Sequence, residues 1–172
     1  MKRRGALVTG VIAGAAGLTG AGVAIWRQQA PSGDDPGKLW SQRFERPEGG
    51  ELLMSSLFGK PLIINFWATW CAPCVRELPE IERWYKDHAA QGWQVLGLAV
   101  DSLKPVQKFL SKVRLSFPVA LAGMEGADLI HQFGNPQGGL PFSIALGAQG
   151  RVLRRKLGET GYDELVTWAR KI

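Results

Sequence analysis

Residues 63–81 read "IINFWATWCAPCVRELPEI" and hold both cysteines of the chain, Cys71 and Cys74. The apolar, β-rich run Leu62 to Trp67 leads into them. Val75, Leu78, Ile81, Trp84 or Tyr85, and Ala89 follow at helical spacing. The first pattern predicts a strand and the second an amphipathic helix. A further apolar run, "WQVLGLAV" at 93–100, completes a strand, helix, strand unit. Two nearly continuous apolar strands joined by a helix predict a parallel pair covered by helices.

Two cysteines three residues apart can staple a fold, hold a metal or exchange electrons. A bridge over so short a loop removes little chain entropy, so stapling is a poor use of it. A structural zinc needs four ligands, and only His88 and His131 stand beside the cysteines, without finger spacing. No copper ligand set is identified either, and no cofactor or metal is expected. Reversible exchange suits the position. A cysteine where a strand ends and a helix begins has free backbone N–H groups and the positive helix end beside it, which favours thiolate. Cys71 is thus the expected nucleophile, Pro73 fits the first helical turn, and Cys74 on the same face can resolve a mixed disulfide. Glu77, three positions beyond Cys74, is either an ordinary solvated glutamate or the group that moves a proton for the inner thiol. Pro79 should kink the helix one turn further on.

The rest of the chain continues the alternation. A hairpin is expected within Leu39 to Pro61, turning at 48–51. Helices are expected over Pro105 to Val113, Ala127 to Phe133 and Tyr162 to Arg170, with strands over Phe117 to Leu121, Phe142 to Leu146 and Arg151 to Leu157. Arg151, Arg154, Arg155 and Lys156 read as an edge strand guarded by charge rather than a nucleic-acid surface. In "GGLP", Leu140-Pro141 is the bond for which cis costs least, after glycines that accept unusual dihedrals.

The net charge of +6 belongs mostly to the N-terminus: Lys2, Arg3, Arg4 and Arg27 precede the first acid, Asp34, and the remainder is nearly balanced. Gly5 to Ile25 carries no charge and would reach about 32 Å as a helix, enough to span a bilayer. With basic residues before it, residues 1–30 read as an anchor that leaves the following domain outside the cytoplasm, or as a signal segment cleaved on export. Residues 31–43 read as a linker and 44–172 as the domain.

Together, "FWATWCAPCVRELPEI" and "GGLPFSIALGAQGRV" resemble the thioredoxin superfamily, in particular the membrane-tethered TlpA/ResA-like thiol-disulfide oxidoreductases. The resemblance implies a thioredoxin-like α/β sandwich with an N-terminal hairpin extension and an inserted helix and strand near 101–122. It implies that Leu140-Pro141 is the cis-proline loop opposite the cysteines, that Trp70, Pro73 and Leu140 surround the site, and that Asn65 replaces a buried aspartate of cytosolic thioredoxins. Gly147 departs from the family, where an aspartate is usual. The implied activity is protein disulfide reduction at the periplasmic face of the cytoplasmic membrane, serving cytochrome c maturation or copper-site assembly. The implied partners are a disulfide-containing exported protein and a membrane protein that supplies electrons. The same residues also admit a dithiol oxidase or a copper or redox-partner binding module.

Overall fold

The computed structural model describes residues 36–123 and 126–172. The expected anchor at 1–30 and the start of the linker lie outside the described residues. In chain order the elements are α1 (Pro36–Trp40), β1 (Arg43–Glu45), β2 (Glu51–Leu53), β3 (Leu62–Trp67), α2 (Ala72–His88), β4 (Gln94–Ala99) and α3 (Leu103–Leu110). They continue with β5 (Val119–Leu121), α4 (Gly126–Gln132), β6 (Phe142–Leu146), β7 (Val152–Leu157) and α5 (Tyr162–Ala169). Single 3₁₀ turns lie at Met54–Leu57 and Ala89–Gln91.

The seven strands form one mixed sheet in the order β2-β1-β5-β4-β3-β6-β7. β3 pairs in parallel with β4, and β4 with β5. β6 runs antiparallel to β3, and β7 antiparallel to β6. The expected hairpin is β1 and β2, attached antiparallel to β5 at the far side of the sheet. The basic strand β7 is the outer strand on the other side, as its charges implied.

Every residue of β3 is buried, because it lies between two strands and under helices on both faces. Its alternation divides the core. Ile63 and Trp67 join Leu78, Ile81 and Trp84 of α2 and Leu165 and Trp168 of α5 in one cluster. Leu62, Ile64 and Phe66 join Leu39 of α1 and Leu129 and Ile130 of α4 in the other. Asn65 falls between Ile63 and Trp67, so the period of two points its amide at the face that α2 covers.

Three local differences from the sequence expectation have simple causes. α3 begins at Leu103, not at Pro105, because a first-turn N–H has no helical acceptor and a proline there forfeits nothing. β5 begins at Val119 because Pro118 cannot donate to a ladder, although its carbonyl accepts from Gly97 N–H at 2.9 Å. Leu39, within the stretch expected as a linker, is buried in the second cluster, since α1 packs its apolar side against the sheet. α2 runs through Pro79 to His88 as one helix.

Candidate functional site

The site forms where β3 ends. Trp67 is the last strand residue, and Cys71 then takes an extended conformation as the N-cap of α2, with Pro73 in its first turn. Cys71 Sγ accepts the backbone N–H of Cys74 at 3.3 Å, so the sulfur sits among the unpaired donors of the helix start. The two cysteines are joined by a disulfide. Cys71 is 6% exposed and Cys74 0%, which leaves Cys71 as the sulfur that another molecule reaches. Trp70 beside it is 67% exposed.

Two fastenings hold this turn and the loop across from it. Asp101, at the end of β4, accepts from Thr69 N–H at 2.9 Å, Thr69 Oγ1 at 2.6 Å and Ser102 N–H at 2.7 Å. It therefore ties the segment entering Cys71 to the neighbouring parallel strand. The Leu140-Pro141 peptide is cis, and Phe142 immediately after it pairs with Phe66 of β3. Pro141 thus lies at the same end of the sheet as the cysteines, and Leu140 packs against the cluster that contains them. Asn135 Nδ2 donates to Gly139 O at 2.8 Å, and Asn135 O accepts from Gly138 N–H at 3.0 Å, which folds the preceding loop back on itself. Gly138 has φ +63°, and a Cβ there would stand 3.1 Å from His131 Nε2, so this turn requires glycine.

Glu77 is not a solvated glutamate: it is 2% exposed. Its Oε1 accepts from Asn65 Nδ2 at 2.6 Å and its Oε2 from Thr160 N–H at 2.6 Å. Burial pushes its carboxyl up to about 7, against the lowering effect of those two donors; the charge of Glu159 adds to the rise and that of Lys156 opposes it. Lys156 pairs with Glu164, and Glu159 with Arg76 on the first turns of α2. The carboxyl therefore titrates near neutrality in a buried position.

The structure brings Cys71, Cys74, Glu77 and Trp70 into one helix start, with Pro73 in its first turn and Pro141 and Leu140 at the adjoining sheet end. Sequence reasoning missed Asp101, Ser143 and Thr160, which position Thr69, Asn65 and Glu77. No spacing marks them, since each acts across 32 to 83 residues. The histidines stand in other settings: His88 stacks on Trp84 at 4.5 Å, and His131 faces Gly138. Among the described residues no cluster of three or more His, Cys, Asp or Glu is placed to hold a metal.

A two-sulfur helix start beside a cis-proline, on a mixed sheet with helices on both faces, defines a thioredoxin-like redox protein. The AhpC/TSA family model matches residues 37–154. The thiol-disulfide oxidoreductase ResA of Bacillus thuringiensis (strain Al Hakam) is 32% identical over 126 residues, covering 73% of this chain and 70% of that one. Among solved structures, a thioredoxin-family thiol:disulfide interchange protein from Chlorobium tepidum TLS superposes with a TM-score of 0.66 at 29% identity, over 76% of this chain and 92% of its own. A thioredoxin-related protein from Neisseria meningitidis serogroup B gives 0.66 at 26% identity, over 76% and 97%. The chain belongs to the AhpC/TSA family, among its ResA-like thiol-disulfide oxidoreductases. Its CxxC pair is Cys71–Cys74.

Proposed function

We propose that this oxidoreductase works outside the cytoplasm as a reductase of disulfides in exported proteins. Thiolate Cys71 attacks a substrate disulfide, forming a mixed disulfide and expelling one substrate sulfur as thiolate. Cys74 then attacks Cys71 Sγ, releasing the second substrate thiolate and leaving the protein oxidised. The observation that carries this order is the difference in access: Cys71 keeps a 6% exposure and Cys74 has none. The Pro141 loop is the platform for the substrate backbone, and Trp70 the apolar surface beside it. Glu77 holds a proton that Cys74 gives up when it becomes the attacking thiolate.

Residues 1–30 serve as the membrane tether, and a membrane electron-transfer protein re-reduces the pair. ResA-like relatives and the basic, uncharged, exit layout of the N-terminus support the extracytoplasmic placement. The substrates fit cytochrome c maturation or copper-site assembly, both of which need reduced thiols in an oxidising compartment. The test is trapping. Cys74→Ser should accumulate mixed disulfides with exported proteins and Cys71→Ser none; equal trapping by both would overturn the assignment.

A further inference from the structure

Asn65 is fully buried in the middle of β3, and two groups beside it set an unusual condition. Its Nδ2 lies 2.6 Å from Glu77 Oε1 and 3.0 Å from Ser143 Oγ, while its Oδ1 is buried with no hydrogen-bond partner. Both amide hydrogens are therefore spent on one side. This suits an ionised Glu77, whose oxygens only accept. It does not suit a protonated one. With Oε2 held by Thr160 N–H, a proton on Oε1 meets the Asn65 N–H head on.

A half-turn of the amide removes the conflict. Oδ1 then stands where Nδ2 stood and accepts from the Glu77 O–H. It also accepts from Ser143, whose hydroxyl donates as readily as it accepts. The separation of 2.6 Å lies within the O–H···O range and just below that of an N–H donor to a charged acceptor. Each orientation leaves one end of the amide unpaired at the far side, Oδ1 in one and the two N–H groups of Nδ2 in the other. Toward Glu77 and Ser143 each orientation completes both bonds, one orientation for each state of the carboxyl.

We propose that the Asn65 side-chain amide, backed by the Ser143 hydroxyl, turns over as Glu77 gains or loses its proton and so satisfies both states of that carboxyl. Asn65 and Ser143 are positioning residues: they act through Glu77 and touch no substrate. The proposal rests on the reading of Glu77 as the proton holder for the dithiol. The other groups that act on Glu77 are Lys156 from β7 and Glu159 from the segment after it, and Cys74 stands one helical turn earlier on α2. β3 and β6 contribute no charged residue, so on the sheet side only a neutral, reversible partner meets the carboxyl. An aspartate at position 65 would instead set a second carboxylate against it.

The experiment is nuclear magnetic resonance of the reduced, full-length chain from about pH 5 to about pH 9, across the Glu77 titration. The expected result is cross-relaxation between the Asn65 NH₂ hydrogens and Ser143 Hβ at high pH, lost at low pH with the midpoint of the Glu77 carboxyl carbon. Cross-relaxation that persists on both sides of that midpoint overturns the turnover. Asn65→Leu, and Ser143→Ala as the milder replacement, give the second measurement. Because the amide serves both states of the carboxyl, Asn65→Leu should move the Glu77 midpoint by less than about 0.5 pH unit, and Ser143→Ala by less still. A rise of about 1 unit or more in Asn65→Leu marks a donor fixed toward the ionised form and overturns the proposal. The pH profile of Cys71 alkylation in Glu77→Gln separates the two claims. An unchanged profile overturns the link to the dithiol, and a changed profile with a fixed amide overturns the turnover alone.

Discussion

Thr160 N–H donates to Glu77 Oε2 at 2.6 Å across 83 residues of sequence, and both residues are buried. The bond joins the segment before α5 to the second turn of α2, one turn beyond Cys74. It holds an ionisable group inside the core, one helical turn beyond Cys74, with a fixed backbone donor. A buried carboxyl with fixed donors is a costly feature for a fold alone, and in the proposed function it is the group that holds the proton of Cys74.

Because the Glu77 carboxyl is raised from 4.5 to about 7, the native protein keeps a proton that the unfolded chain releases. Stability from this group is therefore full below about 4.5, falls as pH rises toward about 7, and is flat above. At 1.36 kcal/mol per unit the loss is of order 3 kcal/mol. Glu77→Gln should remove it. Urea unfolding of both proteins at about pH 5 and about pH 8 should show the variant gaining on the native chain at the higher pH, by about 2–3 kcal/mol. Parallel curves would contradict the buried titration. The lowered Glu82 carboxyl acts in the opposite sense and only in more acid solution.

Asp101→Ala should damage the site from outside it. The carboxylate serves two backbone N–H groups and the Thr69 hydroxyl, and its removal leaves them without that acceptor. A loss of about 2–3 kcal/mol is expected by chemical denaturation, together with slower thiol exchange because the turn entering Cys71 loses its anchor. Unchanged stability would mean that solvent replaces the carboxylate.

Trp70→Ala should do the reverse. With two thirds of its surface in water, Trp70 contributes little to the core, and stability should stay within about 0.5 kcal/mol. Reduction of a protein disulfide should slow by about tenfold or more, while reaction of Cys71 with a small alkylating agent should not, since only the large substrate needs the apolar surface. Equal slowing of both reactions would assign Trp70 to the thiolate instead.

Much of this architecture is legible in local pattern. Leu62 to Trp67 is a strand in sequence and in space, and the run from Val75 to Trp84 marks its buried helix face. The cysteines announce their chemistry because their spacing and the helix start are local. Leu140-Pro141 is visible as a turn, and becomes a site element only when β6 lies against β3. The polar arrangement is hidden for a related reason. Asn65, Glu77, Ser143 and Thr160 meet only through sheet register and helix docking, and a serine inside a strand or a threonine after a glycine turn carries no mark of its partner. Helix starts are blurred by prolines such as Pro105, which fit several positions of a first turn equally well.

The central claim is that the Cys71–Cys74 couple gives electrons to substrates. Its direct measure is the reduction potential of the full-length chain, equilibrated with defined thiol–disulfide buffers. A reductase is expected near the thioredoxin value of about −270 mV; a potential near about −120 mV would make the protein an oxidant and contradict the account.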